Sequence, residues 1–448
     1  KINRGLINME TNNKLTSRDY LLSIQHLFAM FGATVLVPLI TGLNPSLALF
    51  TAGVGTLIFH ICSKFKVPVF LGSSFAFLAA VSAITKPDGV LVLENVPIAQ
   101  GGIVFAGLVY LVFALIAFFV GADKIKKLFP PVITGPVIVV IGINLAGTAI
   151  TDATGGVGLS GNISSEAILN LAIATFTLAI VIVCSIFAKG FFKLVPILIG
   201  IICGYILCVI LNFTGIYKMD FSPVINSPWI NIPFKTVDGS GVPFMSLPKF
   251  ELGAILSIAP IALVTFMEHI GDITTNSTVV GKDFIKDPGL HRTLLGDGLA
   301  TMFAGLLGGP ANTTYSENTG VLATTKNYNP KLLRVTAVFA IILGLLGKIG
   351  AVLQTIPSPV KGGVEVMLFG MIAAIGIRSL AESNLDFTHS RNLTIVGLIL
   401  VFGLGFSQLG GINVQLGEYT LNISGLFIAV LVGVLMNKIL PDVDDVSN

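Results

Sequence analysis

The stretch LGGPANTTYSENTGVLATTK, Leu307–Lys326, decides the fold, because it lies among long apolar segments and is not one of them. Between Pro310 and Asn318 it carries Asn, Thr, Tyr, Ser and Glu side chains almost without interruption. A lipid-facing helix would not carry these groups, since irregular polar backbone at membrane depth is tolerated only where protein surrounds it or water reaches it. The stretch therefore predicts a binding site near the middle of a membrane, with Glu317 as its most informative residue.

The composition of the whole chain indicates a polytopic membrane protein. Of the 448 residues, 54% are hydrophobic and 11% are charged, whereas a soluble domain usually has about 25% charged residues. The four cysteines all lie in apolar segments, and the five histidines show no metal-ligand spacing. We therefore expect no disulfide framework, no metal site and no cofactor.

Fourteen membrane-crossing segments are predicted from apolar runs of about 17–25 residues. Eleven runs are clear, and the third, ninth and tenth are weaker because polar residues interrupt them or because they are short. The predicted fold class is an all-α membrane protein with short extended strands in the broken third and tenth segments. The segments are Leu21–Ile40, Pro45–Cys62, Val67–Ile84, Gly101–Val120, Val132–Ile150, Ala167–Phe187, Leu194–Leu211, Leu252–Ile270, Leu294–Leu307, Asn312–Thr325, Leu332–Gln354, Val364–Leu380, Leu393–Ser407 and Ile423–Leu440.

The distribution of basic residues supports this count. Fourteen crossings place both termini on one side, and a cytoplasmic N-terminus leaves 20 of the 26 Lys and Arg on the cytoplasmic side, as the positive-inside rule expects. Residues 1–20 are then a cytoplasmic segment and residues 441–448 a cytoplasmic tail. Of the other six, Lys348 lies within a segment, and the five on the outside are Lys86, Lys218, Lys235, Lys249 and Lys361.

Seven segments per half is an odd number, so two related halves would have inverted topology. The predicted organisation is a first repeat over residues 21–212, an outer linker loop over 213–251 and a second repeat over 252–440. Three motifs recur in order at similar spacing: Gln25-His26 with Glu268-His269, Phe75 with Ser316, and Pro131-Val132-x-x-Gly135 with Pro359-Val360-x-x-Gly363.

The broken segments occupy corresponding positions in the two halves, at Gly72–Phe77 and Gly308–Asn318. Paired interruptions of this kind point to a binding site at the repeat interface. Each is expected to run extended for a few residues and then to become a short helix, whose free N–H groups suit carbonyl or anionic oxygens.

Three acids are the candidates for chemistry at this site. Glu317 is either a binding residue or only a partner of the dipole at the start of its short helix. Glu268 and Asp272 share a helix face, and two carboxylates so close disfavour joint ionisation, which suits proton coupling. The alternative is that the helix stops at Met267 and that Glu268 faces water.

Other polar residues in or near apolar segments are expected to support the site. Asp297 either fixes the unwound backbone of the tenth segment or touches the substrate. Gln25 and His26 are expected to hydrogen-bond the broken segments from behind, and His269 to bond across helices.

The functional class that fits best is a carrier. No GxxxxGK[ST] motif, no Ser-His-Asp arrangement and no zinc spacing occurs in the sequence, so we expect neither ATP hydrolysis nor another enzymatic activity, no catalytic residue and no nucleic-acid partner. A channel needs a continuous polar stripe or charged rings. The polar groups here concentrate at two broken segments and one helix end, which favours alternating access.

These residues resemble the nucleobase–ascorbate (nucleobase–cation symporter-2) family. The family signature Gln/Glu-Asn-x-Gly-x4-Thr-Arg/Lys/Gly reads here as Glu317-Asn318-Thr319-Gly320-x4-Thr325-Lys326, and the resemblance extends from about Leu21 to Leu440. The supporting motifs are LGGPANTTYSEN, EHIGD, GKDFIKDPGLHR, SIQHLFAMFGATVLVP and LGSSFAF.

The resemblance implies a core domain of segments 1–4 and 8–11 and a gate domain of segments 5–7 and 12–14, which also forms a homodimer contact in the lipid bilayer. It implies proton-coupled uracil uptake across the bacterial cytoplasmic membrane, since purine-transporting branches usually have Gln at the Glu317 position. Glu268 and Glu317 would hold the ring, and the N–H groups of Phe75 and Ser316 would reach its carbonyl oxygens. Phe75 and Tyr315 would pack near the ring, and Asn318 belongs to the signature.

Two departures from the family pattern and two other functions stay open. Glycine is usual at position 316 in the uracil branch, and some members carry histidine where this chain has Asp272, so the proton-coupling group is either Glu268 or Asp272. The alternative functions are transport of xanthine or another purine, and an anion carrier or channel of the same fold.

Overall fold

The computed structural model describes residues 15–87, 90–121, 124, 129–157, 163–235, 243–383, 385–416 and 419–441. Most of the predicted N-terminal segment 1–20 and of the predicted tail 441–448 lies outside the described residues, as do Lys126 and Lys127 of the predicted cytoplasmic set.

The described chain is mainly helical, as the sequence predicts. Two pairs of short strands interrupt the helices: β1 Leu71–Ser73 with β2 Asn312–Thr314, and β3 Ile412–Leu416 with β4 Tyr419–Ile423. The α-helices are α1 Ser17–Thr41, α2 Pro45–Cys62, α3 Leu78–Thr85, α4 Val96–Val120, α5 Pro131–Asn144, α6 Ala146–Ala153, α7 Ser165–Phe187, α8 Pro196–Phe213, α9 Ser222–Asn226, α10 Leu252–Ile258, α11 Ala262–Val280, α12 Leu290–Leu307, α13 Ser316–Thr325, α14 Pro330–Leu345, α15 Gly347–Gln354, α16 Ser358–Glu382, α17 Ser390–Gln408 and α18 Gly425–Ile439.

Within the described ranges, nine helical stretches are long and apolar enough to cross a membrane, and α18 is a shorter apolar helix. The local sequence explains where several of them begin. Asn44 and Asn329 each precede a proline at the first helical position, and each side chain accepts a hydrogen bond from the first turn. Proline lacks the N–H that a helix start leaves unpaired, so the Asn-Pro pair is well suited to this position.

Several predicted segments differ from the structure in their extent, among them the eleventh and the eighth. The predicted segment Leu332–Gln354 is two helices, because Leu346 is extended (φ −85°, ψ 95°) and forms a bridge with Ile230 of the outer loop. The possibility that the helix before Glu268 stops at Met267 is wrong, since α11 continues to Val280.

The helices pack as two groups. In the first group, α12 packs along α4 and α2, α14 packs along α2 and α1, and β1, β2, α11 and α13 lie among them. In the second group, α16 packs along α5, α6 and α7, and α17 packs along α5 and α18.

Candidate functional site

The centre of the site is an antiparallel pair between β1 and β2, the two broken stretches that the sequence singles out. Leu71 lies opposite Thr314 and Ser73 opposite Asn312. The pairing satisfies backbone groups that no helix satisfies, which explains how extended backbone persists inside the helical bundle. Tyr315 extends the pair, since its N–H donates to the Phe70 carbonyl at 3.0 Å.

Side-chain hydroxyl groups join the strand pair to the surrounding helices. The Thr56 hydroxyl accepts a hydrogen bond from the Leu71 N–H at 2.9 Å, and the Ser73 hydroxyl donates to the Thr34 carbonyl at 2.8 Å. The Thr301 hydroxyl donates to the Asn312 carbonyl at 3.0 Å. Sequence reasoning missed Thr56 and Thr301, because one threonine in an apolar helix gives no signal of the backbone that its hydroxyl will contact.

A cavity of about 580 Å³ lies between the two helix groups, beside this strand pair. Its polar side comes from the first group and includes Glu268, Asp272 and Glu317. Its opposite wall is apolar and comes from α5 and α16 of the second group. The apolar lining residues are Pro131, Ile138, Ile141, Leu368, Ile372 and Ile375.

The mouth of the cavity lies at the C-terminal end of α16. Arg378 and Glu382 line it, their side chains are 65% and 72% exposed, and Arg378 Nε lies 3.7 Å from Glu382 Oε1. On the far side, the rings of Phe75 and Phe369 meet edge to face with centroids 6.0 Å apart. The cavity is therefore open towards the end of α16 and closed towards its start.

Glu268 and Glu317 both line the cavity, as the sequence predicts, and both are half-buried. Neither carboxylate accepts a hydrogen bond from another described residue. Glu317 is the second residue of α13, where the dipole of the helix favours an anion. The dipole role and the binding role are therefore compatible, and the two carboxylates are available to a ligand.

Asp272 lines the same cavity but has protein partners. The Thr314 hydroxyl donates to Asp272 Oδ2 at 2.7 Å, and the Ser316 hydroxyl donates to Asp272 Oδ1 at 2.6 Å. Hydrogen bonds to a carboxylate stabilise its charged form. Asp272 thus joins α11 to the end of β2 and the start of α13.

Two backbone donors belong to residues that line the same cavity, Phe75 and Ser316. Phe75 follows β1 and Ser316 begins α13, and their N–H groups make no hydrogen bond within the described residues. At Ser316 this follows from its position, because the first N–H groups of a helix have no intrahelical partner. The site thus combines two unpaired donors with two carboxylate acceptors.

Tyr315 lines the cavity, whereas Asn318 and His26 lie behind it, and all three hold the site in place. The Tyr315 hydroxyl donates to the Ser73 carbonyl at 2.8 Å, and its ring fills the space that a side chain at Gly72 would need. Asn318 Nδ2 donates to the His26 carbonyl at 3.0 Å and lies 3.2 Å from His26 Nδ1.

Two of the predicted support residues lie away from the cavity. Asp297 is fully buried, and its Oδ2 lies 3.0 Å from Nδ1 of His269, so this pair joins α12 to α11 as the expectation for His269 requires. Gln25 is half-buried on α1 and does not line the cavity. The unwound backbone of the tenth segment is held by Thr301 of α12 and not by Asp297.

Comparisons with known proteins agree with this geometry. A family model described as "Permease family", that of the xanthine and uracil permeases, matches residues 18–411. The chain is 44% identical over 421 residues to the uracil permease of Bacillus caldolyticus, which covers 94% of this chain and 91% of that protein. It is 41% identical over 445 residues to the uracil permease of Bacillus subtilis strain 168, with 98% and 96% coverage.

Two solved structures share the fold. The transmembrane domain of the cyanobacterium bicarbonate transporter BicA aligns with a TM-score of 0.62 at 14% identity, covering 94% of this chain and 97% of that one. Murine solute carrier 26 family member A9, an anion transporter in the inward-facing state, aligns with a TM-score of 0.68 at 10% identity, with 97% and 70% coverage.

Proposed function

The chain belongs to the permease family of nucleobase–ascorbate transporters, and we propose that within this family it takes up uracil together with protons by alternating access. It is a multi-pass membrane protein and a nucleobase transporter rather than an enzyme. The bacterial cytoplasmic membrane and the cytoplasmic placement of both termini are part of the proposal, supported by the distribution of Lys and Arg.

The observation that carries the proposal is the pairing of two free carboxylates with two free backbone donors in one cavity. Uracil is a flat ring with two N–H donors and two carbonyl acceptors. Carboxylates accept from N–H groups, and backbone N–H groups donate to carbonyl oxygens, so Glu268 and Glu317 are proposed to hold the N–H edge. The N–H groups of Phe75 and Ser316 are proposed to bind the carbonyl oxygens.

A substrate with this arrangement of donors and acceptors leaves no polar group of the site unpaired. A nucleobase with a different arrangement leaves at least one of them unpaired, and the site therefore discriminates between nucleobases. The aromatic side chain of Phe75 is proposed to pack against the ring. The hydroxyl of Tyr315 is already bonded to Ser73, so its contribution to ring packing is proposed to come from holding the strand pair.

Between the two proposed proton-coupling residues, the contacts favour Glu268. Both oxygens of Asp272 accept hydrogen bonds from hydroxyl groups, whereas the carboxylate of Glu268 has no partner among the described residues. A half-buried carboxylate that lacks a partner gains most from binding either a proton or a substrate N–H. We propose that Glu268 exchanges the coupled proton and that Asp272 positions the start of α13.

The two packing groups are proposed to be the core and the gate, moving as rigid bodies about the cavity. The cavity opens at Arg378 and Glu382, on the side predicted to be cytoplasmic, so the structure is proposed to be inward-open. The homodimer through the gate helices is retained as a proposal from the family resemblance.

Ligand-dependent thermal stabilisation across uracil, thymine, xanthine and guanine tests the substrate class. Stabilisation by uracil at lower concentration than by the purines is the expected result, and the reverse order would establish the purine alternative. Uptake of labelled uracil into vesicles, with and without an inward proton gradient, tests coupling. Uptake that does not respond to the gradient would refute it.

A further inference from the structure

Glu365 is a fully buried acid on α16 that the proposed transport site does not use. Its side chain has 0% exposure, and neither Oε1 nor Oε2 has a hydrogen-bond partner among the described residues. An ionised carboxylate in that position would cost several kcal/mol unless it were paired and hydrogen-bonded.

The burial of Glu365 follows from the glycines beside it. A side chain at Gly362 would come within 2.1 Å of the Ala153 nitrogen, and one at Gly363 within 2.4 Å of the Ala174 carbonyl oxygen. These glycines allow α16 to approach α6 and α7 closely at this point. Water is therefore excluded from the helix face that carries Glu365.

Three charged residues surround it: Asp152 on α6, Lys361 one turn earlier on α16, and Lys86 just after α3. With Glu365 they are called the Glu365 cluster. Lys361 Nζ lies 3.6 Å from Asp152 Oδ2. Lys86 Nζ donates to the carbonyls of Ile40, at 2.5 Å, and Leu39, at 3.5 Å, at the end of α1. Both cations are thus already engaged.

The other elements packed against this part of α16 bring no further charge to it. Helix α5 contains no ionisable side chain, and the only acid of α7, Glu166, is exposed on its first turn. On α8, the Tyr205 hydroxyl is bonded to Thr355 at 2.8 Å, and the remaining ionisable groups of α7 and α8 are the thiols Cys184, Cys203 and Cys208. Asp152 is therefore the acid best placed to share a proton with Glu365, because a side chain at Gly362, three residues before Glu365, would come within 2.6 Å of the Asp152 carbonyl carbon.

The cluster bridges the two helix groups at the closed end of the cavity. Lys86 belongs to the first group, whereas Asp152, Lys361 and Glu365 belong to the second. Along one face of α16, Glu365 precedes Phe369, which meets Phe75 and closes the cavity. Glu382 at the open mouth is 17 residues further on, roughly 26 Å at 1.5 Å per residue.

We propose that Glu365 is a proton-binding residue of an outer gate: its carboxyl is protonated and donates to Asp152 while the gate is closed, and it releases the proton when the helix groups separate there and water enters. Closing the gate then requires a proton from the side opposite the cavity mouth. The site deepens the proposed transport function, because it couples proton uptake to gate closure away from the substrate. This proposal rests on the proposed transport function only where uptake is measured.

The first test measures the protonation state directly. Infrared spectra of the purified protein at neutral pH are compared for wild type, Glu365→Gln and the control Glu166→Gln, an exposed acid on a helix packed against α16. Glu365→Gln is expected to lose absorption of a protonated carboxyl, because its amide replaces that group and can donate to Asp152 in the same way. Loss of ionised-carboxylate absorption instead would overturn the proposal.

Stability gives an independent measure. If Glu365 is neutral, both Glu365→Gln and Glu365→Met should fold. Their melting temperatures should fall no further than those of other buried substitutions that change the side-chain volume equally little. A neutral side chain that prevents folding in both variants would show that the native residue is an anion needed by the two lysines. That outcome also overturns the proposal.

The transport test uses external pH. Wild-type uptake into proteoliposomes should fall as the pH on the closed side rises, because gate closure then lacks its proton, and Glu365→Gln should flatten this dependence. Uracil-dependent thermal stabilisation should be unchanged in Glu365→Gln, and its loss in that variant alone would place Glu365 in the substrate site and overturn the proposal. Absence of uracil stabilisation in wild type would refute the proposed substrate while leaving the infrared result to decide the gate.

Discussion

Replacing Glu317 by Gln tests the recognition site with almost no change in side-chain volume. In the structure the Glu317 carboxylate lines the cavity at the start of α13 and has no partner in another described residue. Glutamine keeps one carbonyl acceptor but turns the second oxygen into an N–H donor that faces the N–H groups of the ring. The variant therefore loses a charge-assisted hydrogen bond to the substrate and leaves the rest of the cavity unchanged.

The magnitude follows from that one bond. A hydrogen bond to a charged group contributes about 1.5–3 kcal/mol, which corresponds to roughly a ten- to hundredfold rise in the Kd for uracil. Isothermal titration calorimetry in detergent or nanodiscs measures it, with Glu166→Gln as a control at an exposed carboxylate. A Kd for Glu317→Gln within threefold of the wild-type value would refute the assignment.

Methylated uracils sharpen the same test. If Glu317 accepts from one ring N–H, the analogue methylated at that nitrogen should bind wild type weakly and should lose little further affinity in Glu317→Gln. The analogue methylated at the other nitrogen should still respond to the substitution. Additive effects for both analogues would show that Glu317 contacts neither N–H group, because independent sites give additive free energies.

Three further substitutions probe the scaffold of the site. Gly72→Ala places a methyl group 2.4 Å from the facing tyrosine ring, so we expect a loss of about 1–3 kcal/mol in stability from overpacking, seen as a lower melting temperature; an unchanged value would contradict the packing. Asn318→Ala removes the side-chain hydrogen bond to the His26 carbonyl, with an expected loss of about 0.5–1.5 kcal/mol that Asn318→Ser should reduce if Ser restores a donor. Ser316→Gly removes one hydroxyl from Asp272 but keeps the backbone N–H, so the Kd for uracil should change by less than threefold; a larger change would assign the hydroxyl to recognition.

The overall fold could be predicted from the sequence because lipid imposes a strong constraint on it. Apolar runs of membrane length and the placement of Lys and Arg are visible without tertiary information. The strands at Leu71–Ser73 and Asn312–Thr314 could also be predicted, since polar, glycine- and proline-rich stretches cannot continue a lipid-facing helix. The break at Leu346 was not, because it depends on a bridge to Ile230 in a loop far away in the chain.

The polar side of the site was predictable because placing acidic residues inside a membrane costs free energy, so they are seldom found there without a function. Intramembrane acids such as Glu268 and Glu317 are rare enough to be informative one at a time. The apolar wall from α5 and α16 was not predictable, since Ile138 or Leu368 looks the same in a sequence whether it faces lipid, another helix or a cavity. Only packing of the two helix groups against each other distinguishes these environments.

The position of Glu365 near the start of a predicted segment explains why the sequence did not indicate a buried acid there. It is the second residue of the predicted segment Val364–Leu380, where an acid would ordinarily reach water at the membrane surface. The structure begins the helix at Ser358 and packs Gly362 and Gly363 against α6 and α7, so the same residue is fully buried. Two glycines thus convert a surface acid into an interior one, and they do so where the helix groups meet. An acid that is buried in one conformation and hydrated in another must change its interaction with protons between the two, which is the property that a proton-linked gate requires.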